Sequence, residues 1–152
     1  MPTKFRMVFV SILENEPNQL KEIATDLGEE MNLDVDFYGI YGEDADDDPL
    51  IYHELVQHTK QADFIYVRCM GDINRFHNWE RYESILKEVK GFPVVFSGNP
   101  DVNIMTRDLF RGNEVEYREI FSYSRDRCPD NDRGLIWWGM HKLGFITRPP
   151  EP

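Results

Sequence analysis

The chain has 152 residues, 41% hydrophobic and 13% aromatic, with 28 acidic side chains against 17 basic ones and a net charge of -11. One domain of this length with this much core material is not a disordered chain, and its charge sets it against nucleic-acid phosphates and anionic membrane surfaces as partners. No apolar run approaches the roughly 20 residues of a membrane span, no basic start leads into a signal-type stretch, and Cys69 and Cys128 alone make no disulfide framework, so a reduced, cytoplasmic protein is expected.

Residues 7–13 form a nearly continuous apolar run, the pattern of a strand buried on both faces. A turn follows at Glu14, Asn15 and Glu16, with Pro17 suited to opening a helix. Leu20, Ile23, Ala24, Leu27 and Met31 then recur at helical spacing. Residues 33–41 predict a second strand, with Val35, Phe37 and Ile40 as its apolar positions, and residues 43–48 a solvated acidic loop. Leu50, Ile51, Leu55 and Val56 mark a second helix after Pro49.

Residues 63–70 predict a third strand entering a loop at residues 71–74. Trp79, Tyr82, Ile85, Leu86 and Val89 form a third helical stripe, ended by Gly91 in the usual position after a helix. Residues 92–96 predict the fourth strand. Strand and helix in strict alternation imply an α/β, three-layer Rossmann-like (flavodoxin-like) domain, with a four-stranded parallel sheet and right-handed crossovers.

Beyond residue 100 the pattern turns helical. Asp101 is expected to cap a helix carrying Ile104, Met105, Leu109 and Phe110, ended by Gly112. Asn113 and Glu116 form a capping-box-like start for a helix over residues 114–123. Residues 128–131 read as a turn and Asp132 as the cap of a helix over residues 134–143. The expected domain covers residues 1–146, and the proline-rich residues 147–152 read as a linker or tail.

Open parallel sheets receive ligands at the carboxyl ends of their strands, near the point where strand order reverses. The candidate ligand-binding residues there are Glu14, Asn15, Arg68, Gly71, Asp72, Arg75, His77, Ser97 and Asn99, with Glu16, Gly42, Glu43 and Gly98 beside them. Arg75 and His77 are an exposed polar pair able to hold a carboxylate, since arginine does so bidentately. Turns and helix caps need these same residue types.

No catalytic residue is assigned. There is no GxGxxG after the first strand and no phosphate loop, and Glu14 and Glu16 put negative charge where a phosphate would sit. Ser97 could serve as the hydroxyl of a phosphoacceptor site, but no later strand supplies its lysine. No metal site is assigned either. His53 and His58 are five residues apart where HExxH needs four, and residues 43–48 begin like a calcium loop but place Pro49 at its glycine and Leu55 at its bidentate glutamate. Cys69 reads as a small apolar filler. Trp137 and Trp138, adjacent on a helix, point about 100° apart. They are candidate interface residues, one against the sheet and one toward another domain, or else both belong to a helix buried on two sides.

The order of these segments resembles the N-terminal region of the cobaltochelatase large subunit and magnesium chelatase H subunit family. Residues 62–68, followed by Met70, Gly71 and Asp72, resemble its third strand and glycine-pair loop. Residues 92–99 resemble its next strand, residues 135–140 its later helix, and residues 148–152 the stretch before its next conserved block. Asp72 stands in place of the second glycine, and His141 roughly where an asparagine is expected. The resemblance implies a head region in metal insertion into tetrapyrroles, in cobalamin biosynthesis, as part of an ATP-dependent ligase. Its partners would be the remaining domains of the large subunit, AAA+ ATPase subunits and a tetrapyrrole. It implies no cofactor bound by this chain, with ATP and cobalt or magnesium handled by the full complex. An independent flavodoxin-like ligand-binding or regulatory module is the alternative.

Overall fold

The structure, a computed structural model, describes residues 4–12, 16–69, 71, 73–125 and 128–150. Four strands, β1 (Lys4–Ser11), β2 (Asp34–Tyr41), β3 (Phe64–Cys69) and β4 (Phe92–Ser97), form one parallel sheet in the order β2-β1-β3-β4. The helices are α1 (Glu16–Glu30), α2 (Gly42–Asp47), α3 (Pro49–Gln61), α4 (Trp79–Glu88), α5 (Pro100–Thr106), α6 (Glu114–Arg125) and α7 (Pro129–Lys142). The chain steps from β1 to one side, then to β3 on the other, so strand order reverses between β1 and β3. The expected α/β sandwich with a four-stranded parallel sheet is what the chain forms.

Alternation along the central strands builds two cores. Val8 and Val10 of β1 sit opposite Ile65 and Val67 of β3, beneath α2 to α5. Met7 and Phe9 sit opposite Phe64 and Tyr66, beneath α1, α6 and α7. Phe5, Phe9, Phe64 and Tyr66 are fully buried. Each such side chain contributes about 1.5–3 kcal/mol by leaving water, which is why the central strands read as unbroken apolar runs. The edge strand β2 instead alternates: Val35 and Phe37 join the second core, while Ile40 turns to the first.

Several elements differ from the sequence reading. β1 begins at Lys4, because its exposed Lys4 and Arg6 alternate with buried Phe5 and pair along β2. The acidic run is not a loop but the helix α2. Its Ala45 is buried, and the Asp46 carboxylate accepts the backbone N–H groups of His77 at 2.7 Å and Asn78 at 3.0 Å. Leu50 is 78% exposed, and Tyr52 and Thr59 take its place in the buried face of α3. His58 stacks on Tyr38 with ring centroids 4.0 Å apart.

Asn99, not Asp101, caps α5, its side chain accepting the Asp101 N–H at 3.0 Å. Ile104 and Met105 are exposed, while Leu109, in a 3-10 turn at Arg107–Leu109, and Phe110 just after it are buried. The capping box forms as expected: Asn113 and Glu116 exchange reciprocal hydrogen bonds of 2.9 Å. α7 begins at Pro129 rather than after Asp132, with Cys128 as its cap position.

Gly91 does not have the left-handed backbone expected after a helix; among the described glycines only Gly144 does, at φ 83°. Gly91 is there for space, since a Cβ would stand 2.4 Å from the Ala62 carbonyl oxygen.

Candidate functional site

β1 and β3 end side by side at the reversal of strand order, and their last paired residues are Ser11 and Arg68. Both continue the face that carries Phe9 and Tyr66, so the Arg68 side chain emerges beneath α1 and α7. Burying a guanidinium is costly unless it is paired. Here α1 supplies Glu16 from its first residue, and α7 supplies Asp132 from its first turn.

Arg68 donates to Asp132 at 2.6 Å and to Glu16 through its other terminal nitrogen, and Ser11 donates to Glu16 at 2.6 Å. All three charged side chains are almost wholly buried. The guanidinium also lies over the Phe9 and Tyr66 rings, at 5.6 and 5.7 Å from their centroids. Two helix N-termini, whose dipoles favour negative charge, thus present carboxylates to one arginine. Burial alone would weaken the protonation of Arg68, but Tyr66, Asp132 and Glu16 outweigh it and raise its pKa. Burial raises that of the Tyr66 hydroxyl.

Beside this cluster a cleft of about 730 Å³ opens between the carboxyl ends of β3 and β4 and the helices α5 and α6. Its walls include the rings of Phe96, Tyr117 and Phe121, and Tyr66 and Arg68 line it. Tyr117 and Phe121 are parallel within 7°, and both meet Phe96 edge-on, with centroids 5.5 and 5.3 Å away. Ser97, Asn103, Arg107 and Ser124 supply polar groups. Arg107 packs over the Tyr117 ring at 4.0 Å and pairs with Glu114 at 2.8 Å. The Tyr66 hydroxyl and Arg68 Nε are both shut off from solvent, and the Arg68 guanidinium partly offsets the rise that burial gives the hydroxyl pKa.

The residues singled out from sequence fare differently. Arg68, Ser97 and Gly98 line the cleft. Ser97 is also tied into its own loop, donating to the Gly71 carbonyl at 2.8 Å and accepting from the Asn99 N–H at 3.0 Å. Asn99 is committed to capping α5. Glu14, Asn15 and Asp72 lie outside the described residues. Arg75 and His77 are exposed on the side of α2, where the His77 ring stands 4.0 Å from Asp46, and neither lines this cleft. Glu16 does not project its charge toward a ligand, because Arg68 takes it up.

Trp137 and Trp138 are not surface residues. Both are buried, with indole N–H groups directed to the Arg148 carbonyl at 2.9 Å and to Glu119 at 3.2 Å. The helix buried on two sides is therefore the arrangement found. Sequence reasoning missed Asp132 as a partner of Arg68, and with it the aromatic wall. The spacing of Tyr117 and Phe121 as a helical pair was the available signal.

No known family profile matches the chain, and no curated protein does. Among solved structures, it is similar to the catalytic subunit of cobaltochelatase from Mycobacterium tuberculosis, with a TM-score of 0.51 and 14% identity. The match covers 95% of this chain and 11% of that one, so the chain spans a small fraction of the length of the subunit whose fold it shares.

Proposed function

We propose that the chain works as a Rossmann-like scaffold and interface domain in a cobaltochelatase-type large subunit, without metal insertion of its own. The observation that carries this reading is the extent of the structural match: 95% of the chain follows one part of a cobaltochelatase catalytic subunit. Under this reading the domain is cytoplasmic. Its partners are the remaining large-subunit domains and AAA+ ATPase subunits, which consume ATP while cobalt or magnesium is inserted as substrate into a tetrapyrrole, as in cobalamin biosynthesis. The chemistry belongs to the assembly, and the Arg68 cluster holds two helix N-termini on the sheet. Metal insertion into hydrogenobyrinic acid diamide, followed by absorbance with cobalt and ATP, tests the division of labour. The isolated chain is expected to form no cobalt complex. Cobalt insertion by the chain alone would make it an enzyme and overturn the scaffold reading.

The cleft favours a second reading, an independent ligand-binding module of flavodoxin-like architecture. Its site stands at the carboxyl ends of β3 and β4, where this class of sheet receives ligands. Its volume falls within the range of small-molecule sites, roughly 300–1,000 Å³.

A further inference from the structure

We infer that the cleft between β3, β4, α5 and α6 binds a one- or two-ring aromatic compound carrying a carboxylate, with Arg107 and Arg125 holding the acid group. The inference rests on the second reading above, in which the cleft is a ligand site, and adds the class of ligand.

The walls select the ring. Tyr117 and Phe121 stand one turn apart on α6 with parallel rings, and Phe96 meets both edge-on from β4. Aromatic side chains gain more from another ring in such offset and edge arrangements than buried area alone supplies. A cleft of about 730 Å³ suits a compound of this size.

The lining selects the charge. Acidic side chains outnumber basic ones by 28 to 17 along the chain, yet the residues lining this cleft include Arg68, Arg107 and Arg125 against Asp108 alone. Arg68 is committed to Glu16 and Asp132, which leaves the other two arginines for a ligand. Arg125 closes α6 and pairs with no carboxylate among the described residues. Arg107 bonds Glu114 through one terminal nitrogen at 2.8 Å, and Glu114 lies outside the cleft lining. Its remaining N–H donors are uncommitted among the described residues, and the Tyr117 ring, 4.0 Å away, supports the guanidinium where it stands. Asp108 is exposed and screened by water, whereas Arg107 is half-buried against its ring, so an acid group is drawn in more strongly than an amine.

Naphthoate is the probe, with naphthamide as its uncharged counterpart, each followed by ligand-observed NMR against the intact chain. Naphthoate is expected to bind about tenfold more tightly at low salt, the margin of one charge-assisted hydrogen bond, and that margin should shrink as salt rises. Combining Arg107→Gln with Arg125→Gln should bring naphthoate down to the level of the amide and leave the amide unchanged. Arg125→Gln alone, at an exposed residue, should remove part of the margin at an unchanged melting temperature, which separates the effect from any loss of folding at Arg107. Ser124→Trp, which narrows the cleft from α6, should abolish binding of both compounds. If the two bind equally, the cleft stands as a site and the acid class is overturned. If naphthoate keeps its margin in the double variant, the assignment of its carboxylate to these arginines is overturned. If neither compound binds, or both survive Ser124→Trp, the cleft itself is overturned as their site, and the second reading with it.

Discussion

Arg68 joins three elements through one guanidinium, and its removal is the most informative single change in the chain. Arg68→Met keeps an unbranched apolar stem but leaves Glu16 and Asp132 buried without their cation. Breaking a buried pair in this way costs about 3–5 kcal/mol, far more than a surface pair, which is worth about 0–1. Urea unfolding is expected to show a loss of that size for Arg68→Met and a smaller one for Asp132→Asn, whose amide oxygen can still accept. A loss below about 1 kcal/mol for Arg68→Met would mean that the cluster is hydrated and no brace.

Tyrosines give a second expectation at this scale. Burial raises the hydroxyl pKa of Tyr38 to about 12, and raises those of Tyr66 and Tyr82 as well, from an ordinary value of 10.0. The unfolded chain then ionises at lower pH than the folded one. Their contribution to stability is whole below pH 10 and is lost as pH rises toward and through 12. Stability followed by urea midpoint should fall above pH 10, with tyrosinate absorbance from these residues appearing only on unfolding. Arg68 was legible in the sequence as a polar residue at a strand end. Asp132 was not, because its role depends on where α7 docks.

Among the elements, the strands were the most legible, since burial on both faces writes itself as an apolar run. The helix α2 was not. Its six residues carry one buried alanine, and its stabilising contact is the Asp46 carboxylate beside the N-terminus of α4, thirty-one residues from His77. No local pattern records such a partner. The α6–α7 contact was equally hidden and is tight. A Cβ on Gly134 would stand 2.4 Å from the Tyr123 ring. Alanine is the better helix former by about 1 kcal/mol. Overpacking costs typically 1–3 kcal/mol, so packing outweighs propensity. Gly134→Ala is therefore expected to lower the midpoint of thermal unfolding, and a stabilised variant would show that α6 can move away from α7 without loss.

For the molecule as a whole, alternation of strand and helix made the class of fold readable, because a parallel strand needs a crossover helix. The strand order β2-β1-β3-β4 follows from crossovers of one hand that use opposite faces: α1 lies on one face as the chain moves to β2, and α4 on the other as it moves from β3 to β4. The site was legible only as an edge of the sheet. Its content, an arginine braced by two helix N-termini beside an aromatic cleft, depends on α6 and α7, which lie far along the chain from the strands they cover.

A domain that serves an assembly must bind the assembly's other members. Sedimentation velocity of the chain mixed with the AAA+ subunits and remaining large-subunit domains of a cobaltochelatase from the same source measures that directly. The chain is expected to co-sediment with them in a defined complex. A chain that sediments alone at concentrations on the order of 10 μM, where a micromolar interface would be largely occupied, would contradict it.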